Sequence, residues 1–356
     1  MVYAAEVLEV LARDLMITAK SLPPGLRATF DSILGPPQEW DDGPESLSEH
    51  AHFRKLIEQR REALILAELG SPGGFWRAVK LIDRLRARFL PLPFFSERPC
   101  SIRQHAPDRF PNEAWFFVNG IATDKEMLQL NGRYLSRLFQ RPIELIYNPT
   151  EGPFADILEC IMSRTFDFVS EPAEYALERI SIALSNPAKQ RVILLGHSQG
   201  GIIVANVVGG LIQRFSGDKE RLGKLEVYTF ASAGYDIQVD PEIDTPTRRV
   251  PYIEHFANTG DIIAKLGVLE RQHSINGRVF TLDKQGHFLN AHYLAEIEAA
   301  KPYTRRDEDG KRHDDARLYE YRDGGIPELL PIRAAPAPER ADQLGAALKQ
   351  VVVGLS

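Results

Sequence analysis

The sequence predicts an α/β fold, a mostly parallel sheet flanked by helices with a helical extension at the N-terminus. Three observations carry this. Strand-length apolar runs alternate with helix-period stretches across residues 97–300. The continuous run Val192, Ile193, Leu194, Leu195 leads into Gly196-His197-Ser198-Gln199-Gly200-Gly201 and then another apolar stretch, as a buried strand, a tight turn and a helix would. Residues 1–96 repeat apolar positions at helical spacing only.

The 356 residues suit one large core with additions, or two domains, and 44% apolar with 26% charged content is ordinary for a globular chain. A net charge of −6 gives no reason to expect nucleic acid. Two cysteines, Cys100 and Cys160, have no metal-type spacing and suit a reducing compartment. Glu6, Glu9, Arg13 and Asp14 interrupt the N-terminal apolar stretch, unlike a secretory signal. No apolar run reaches the roughly 18 residues a membrane span needs. A cytoplasmic protein without cofactor or metal is the expectation.

In the N-terminal region, Ala4, Val7, Leu8, Leu11 and Leu15 share one helical face, and Phe53, Leu56, Ile57, Leu64 and Ala67 another. A third helix, from Phe75 to Leu90, sets Ala78, Ile82, Leu85 and Phe89 against a stripe of Arg77, Lys80, Arg84 and Arg88. Such a helix suits peripheral contact with a membrane surface, or packing with a solvated basic face. The region reads as support, lid or interface.

From residue 97 the period changes. A short strand is expected over 101–104, a strong one over 114–118, a helix over 127–138 and a strand over 142–147. Helices are expected over 154–168 and 172–185, then the strand before Ser198 and the helix after it. Further strands are expected over 225–231, 252–257 and 277–282, with helices over 262–269 and 290–300. Residues 301–356 start with clustered charge, from Arg305 to Arg312, and read as a partly mobile appendage whose end, a small helix over 341–353, could dock on the body, or as a disordered tail.

Chemistry centres on Ser198. A serine on a strand-to-helix turn projects its hydroxyl away from the sheet, and the following helix points free N–H groups at the same place. A hydroxyl needs a base, and the base an orienting acid. Both are sought just after the downstream strands, because ligands bind beyond the C-terminal ends of parallel strands. The acid candidate is Asp261, directly behind the 252–257 strand, with Asp236 and Asp240 as fallbacks. Its other reading is a helix N-cap, since it precedes Ile262. The base candidate is His287, in a loop after the last strand, and His292, inside the following helix, is its rival. His197 is read as a support for the turn. Two N–H donors are expected for an oxyanion, one on Gln199 and one on Ile121, after the 114–118 strand.

The segment Gly196-His197-Ser198-Gln199-Gly200-Gly201, with acid and base following in the order Asp261, His287, resembles the α/β-hydrolase superfamily over about residues 113–300. The resemblance is to its lipase, esterase and thioesterase branches. It implies hydrolysis of a carboxylic ester by an acyl-enzyme route, with Ser198 attacking, His287 moving the proton and Asp261 holding the imidazole. Thioester hydrolysis or acyl transfer would use the same residues. A protein that keeps the fold and only binds a partner is the alternative of another class. Val118-Asn119-Gly120-Ile121 departs from the His-Gly start usual at the oxyanion segment and looks closer to lipase-like serine esterases.

Overall fold

The computed structural model describes Glu49 and residues 100–103, 109–120, 123–149, 171–234, 237–245, 249–307 and 309–330. The expected helices of residues 1–96, including 75–90, lie outside these residues, as do those over 154–168 and 341–353.

Seven strands form one sheet: β1 (Ser101–Arg103), β2 (Glu113–Val118), β3 (Glu144–Ile146), β4 (Arg191–His197), β5 (Leu225–Phe230), β6 (Tyr252–Asn258) and β7 (Arg278–Leu282), in the order β1-β3-β2-β4-β5-β6-β7. Only the edge pair β1–β3 is antiparallel. All other neighbours run parallel, so their C-terminal ends lie along one rim of the sheet.

The period of two along each strand divides the core. In β4, Val192 and Leu194 pack with α2 (Glu171–Ser185) and α3 (Gly200–Phe215). Ile193 and Leu195 face the opposite layer, with α1 (Lys125–Phe139) and the C-terminal elements. All four are inaccessible to solvent. This is why β4 reads as an unbroken apolar run: both its faces are covered, and each such side chain contributes about 1.5–3 kcal/mol. Short helices α4 (Lys219–Leu222) and α5 (Ile262–Leu266) complete the connections to β5 and beyond β6.

The expected helix over 290–300 differs in kind. It begins as a wider π-helical turn, Leu289–Leu294, and continues as α6 (Ala295–Ala299). Such turns insert an extra residue and re-aim the side chains around them.

Residues 301–307 and 309–330 are part of the body, against the expectation of an appendage from residue 301. After a small hairpin of β8 (Arg305–Arg306) and β9 (Arg312–His313), a 3-10 stretch (Arg317–Gly324) crosses the sheet at the starts of its strands. Tyr303, Leu318, Tyr319 and Tyr321 are core residues. Arg317 forks onto Glu226 at 3.0 and 3.1 Å. Arg141 holds Glu113 at 2.9 Å and donates to the carbonyls of Tyr321 and Gly325 at 3.2 and 2.7 Å. The aromatic residues are interleaved with charges whose partners lie on distant strands, so local sequence presents the segment as polar. No helix among the described residues is long and apolar enough to cross a membrane.

Candidate active site

β4 ends at His197, and α3 begins at Gly200. Between them Ser198 takes φ +58°, a left-handed conformation that costs a non-glycine residue about 1 kcal/mol or more. The turn is held in it. Ser198 N–H donates to the Phe230 carbonyl on β5 at 2.9 Å, and the Ser198 carbonyl accepts from Gly201 and Ala233 at 2.9 and 3.1 Å. Backbone passes close by on the other side: a methyl on Gly200 would stand 2.4 Å from the Val118 carbonyl oxygen. Glycine is required there for α3 to begin against the end of β2.

The structure brings Ser198, His287 and Asp261 together from three strand ends. Ser198 Oγ lies 2.9 Å from His287 Nε2, and His287 Nδ1 lies 2.8 and 3.0 Å from the two Asp261 oxygens. With Nδ1–H donating to the carboxylate, Nε2 is the acceptor for the serine hydroxyl. All three residues are buried.

Asp261 satisfies both of its sequence readings at once. Its Oδ1 caps α5, accepting from Ile263 and Ala264 N–H at 2.8 and 3.3 Å, while Oδ2 faces His287 and accepts the Tyr293 hydroxyl at 2.7 Å. Burial works to raise its pKa, but the His287 charge and the hydrogen bonds from His287, Tyr293 and Ala264 outweigh it and hold the carboxyl below 3.8. Of the fallbacks, Asp240 is remote from this cluster in role: its carboxylate accepts from Gly217 and Glu242 N–H at 2.8 and 2.9 Å and braces the loop after α3. Asp236 lies outside the described residues.

The rival base is otherwise engaged. His292 is fully buried, its Nδ1 accepts the Phe288 N–H at 3.0 Å, and its ring stacks on Phe288. His197 supports His287: its Nε2 lies 2.8 Å from the His287 carbonyl oxygen, and the two rings are 4.8 Å apart. Burial, then the charge on His287, pushes the His197 pKa down to about 3, so it is a neutral N–H donor to that carbonyl.

Beside Ser198, the Gln199 N–H sits in the turn that opens α3 and donates to no protein group among the described residues. The Gln199 side chain is tied down, its Oε1 accepting from Asn148 Nδ2 at 2.7 Å. Asn148 N–H in turn donates to Asn119 Oδ1 at 2.7 Å, and Asn119 Nδ2 donates to the carbonyls of Gly120 and Asn148. This amide network joins the ends of β2, β3 and β4. The second expected donor, Ile121, lies outside the described residues, though Gly120 before it abuts Ser198.

Sequence reasoning did not single out Tyr293, Asn258, Asn148 or Glu49. Asn258 Nδ2 donates to the carbonyls of Gly286 and His292 at 3.3 and 3.0 Å, fixing the loop that carries His287 from both ends. Each of these residues acts on a group far away in the chain, so no local spacing marks it.

No family model matches the chain, and no curated protein matches it in sequence. Among solved structures, a bacterial heroin esterase is similar at 12% identity and a TM-score of 0.38, covering 80% of this chain and 96% of that one. A hyperthermophilic esterase from the archaeon Pyrobaculum calidifontis is similar at 11% identity and a TM-score of 0.35, covering 70% and 96%. A Xanthomonas campestris protein described as an a/b serine hydrolase without lid is similar at 12% identity and a TM-score of 0.32, covering 59% and 94%.

Proposed function

We propose that the chain is a serine hydrolase of the α/β-hydrolase type that cleaves a carboxylic ester through an acyl-enzyme. One observation carries the reading: Ser198, His287 and Asp261 form an unbroken hydrogen-bonded line at the C-terminal ends of parallel strands. Such a line suits proton movement in acyl transfer.

Ser198 Oγ attacks the acyl carbon as its proton passes to His287 Nε2. Asp261, ionised at neutral pH, stabilises the imidazolium and keeps Nδ1–H pointed at itself. The negative charge on the former carbonyl oxygen is met by the Gln199 N–H at the front of α3 and by the N–H of Ile121. Each such donor is worth about 3–4 kcal/mol in the transition state. The imidazolium then protonates the leaving alkoxide, which departs as an alcohol. Water, deprotonated by the same nitrogen, attacks the acyl-enzyme and releases the acid and Ser198. No step calls for a metal or cofactor.

A fluorophosphonate probe should label the wild-type chain at Ser198 and leave Ser198→Ala unlabelled. On nitrophenyl esters, Ser198→Ala and His287→Ala should each lower kcat on the order of 10⁴–10⁶-fold, with little further loss in the double variant. Equal labelling of wild type and Ser198→Ala would refute the reading. An ester and thioester panel of rising chain length, with and without an added alcohol, separates esterase from thioesterase and from acyl transfer.

A further inference from the structure

Glu49 is a buried carboxylate on no strand of the sheet, and the proposed chemistry gives it no part. Its Oε2 accepts the N–H groups of Asn290 and Ala291 at 2.7 and 3.0 Å, residues 241 and 242 positions away in sequence. Its Oε1 accepts from Asn131 Nδ2 of α1 at 2.6 Å, and the same amide reaches Asn290 Oδ1 at 3.1 Å.

Those two N–H groups belong to the first turn of the π-helix that directly follows His287. The first N–H groups of a helix have no partner within it. Phe288, at the cap position, has no side chain that can accept, and makes no side-chain cap. His292 Nδ1 takes the Phe288 N–H, and Glu49 takes those of Asn290 and Ala291. An anion is also favoured at this end of the helix by the peptide dipoles. Glu49 therefore supplies from outside the segment what an N-cap side chain normally supplies from within it.

We infer that Glu49 is a positioning residue for the proposed base. It clamps the backbone behind His287 so that Nε2 stays within hydrogen-bond reach of Ser198. The inference rests on the serine hydrolase reading, because it acts through His287.

Other contacts hold the rest of the His287 loop. Asp261 holds the ring, His197 holds the His287 carbonyl, and Asn258 holds the carbonyls of Gly286 and His292. Asn290 and Ala291 are points at which the turn behind His287 is fixed from the side of α1. A base displaced by about 1 Å costs on the order of 100-fold in rate, so loss of this clamp would be felt at Ser198 without any contact to substrate. Burial pushes the Glu49 carboxyl up to about 7, opposed by the hydrogen bonds from Ala291, Asn131 and Asn290 and by the charge on His287. The last cause places Glu49 within electrostatic range of the base.

The test uses the full chain and compares wild type with Glu49→Ala, Glu49→Gln and Glu49→Asp, on a nitrophenyl ester and in rate of labelling by a fluorophosphonate. Glu49→Ala should lower kcat and the labelling rate about 10- to 100-fold with KM changed less than about threefold. Glu49→Gln, which keeps an oxygen for the two N–H groups, should recover most of that loss. In a His287→Ala background, Glu49→Ala should have no further effect, because the group it positions is gone. A Glu49→Ala enzyme with Ser198-dependent reaction at wild-type rate would overturn the role alone. So would an equal slowing in the His287→Ala background, which is what general loss of structure produces. Equal labelling of wild type and Ser198→Ala overturns the hydrolase reading, and this role with it.

Discussion

The Tyr293 hydroxyl donates to Asp261 Oδ2 at 2.7 Å and, at 3.1 Å, accepts the backbone N–H of Asn258 at the end of β6. One phenol thus ties Asp261 to the strand that carries it and to the π-helical turn behind His287. Tyr293→Phe removes both bonds. Asn258 N–H is then buried without its acceptor, a loss of about 1–3 kcal/mol of stability. The Asp261 carboxylate loses a donor that holds its pKa down, so its protonation moves to higher pH. The sign is fixed: a carboxyl with lowered folded-state pKa contributes stability above its unfolded value, 3.8, which is lost as pH falls through the folded one. Urea unfolding at pH 7 and in steps below pH 3.8 should show the variant less stable at neutral pH and losing stability at higher pH than wild type on the acid side. An unchanged acid limb would contradict the role given to Tyr293.

Gly120 touches Ser198 from the side of β2. A methyl there would stand 2.6 Å from Ser198 Cβ and 3.2 Å from its Oγ. The serine cannot yield, since its backbone is held at φ +58° by hydrogen bonds to Phe230, Gly201 and Ala233. Gly120→Ala should therefore lower kcat at least about 100-fold while the chain stays folded. Circular dichroism with fluorophosphonate labelling checks this; normal labelling would show that the β2 loop gives way instead.

At the other end of the sheet, Glu254 accepts the N–H groups of Arg317 and Leu318 at 2.8 and 3.2 Å and the Tyr252 hydroxyl at 2.5 Å. Burial nevertheless raises its pKa from 4.5 to about 7. Folding favours its protonated form, so its contribution is complete below pH 4.5 and is lost as pH rises to about 7. The size is on the order of 3 kcal/mol. Glu254→Gln should remove that fall. Unfolding midpoints at pH 5 and pH 8 should differ less in the variant than in wild type, and parallel slopes would exclude Glu254 as the source.

The strand-to-helix turn at Ser198 is legible in sequence because everything that makes it is local. Val192 to Leu195 fill both sheet faces, Gly200 permits the approach to Val118, and the period of 3.6 resumes at once in α3. Asp261 and His287 are legible for a related reason. Parallel strands bring every strand end to one rim, so residues just past β6 and β7 are neighbours of Ser198 whatever their distance along the chain. Sequence prefers His287, in a loop, to His292, inside the following helix, and the coordinates show where each ring points. Both lie near the rim; His292 Nδ1 takes the Phe288 N–H, while the His287 ring lies between Asp261 and Ser198.

What local pattern does not encode is any contact whose two halves are individually ordinary. Glu49 is an unremarked acid among many, and it becomes distinctive only where the π-helix presents Asn290 and Ala291 N–H to it. Residues 301–330 read as a charged tail because Arg317 meets its Glu226 across 91 residues and Arg141 meets the Tyr321 carbonyl across 180. Hydrophobic period reports which face of an element is buried, and turn chemistry reports where it stops. Neither carries the identity of a partner brought close by packing, and in this chain those partners decide which histidine faces the serine and what holds it there.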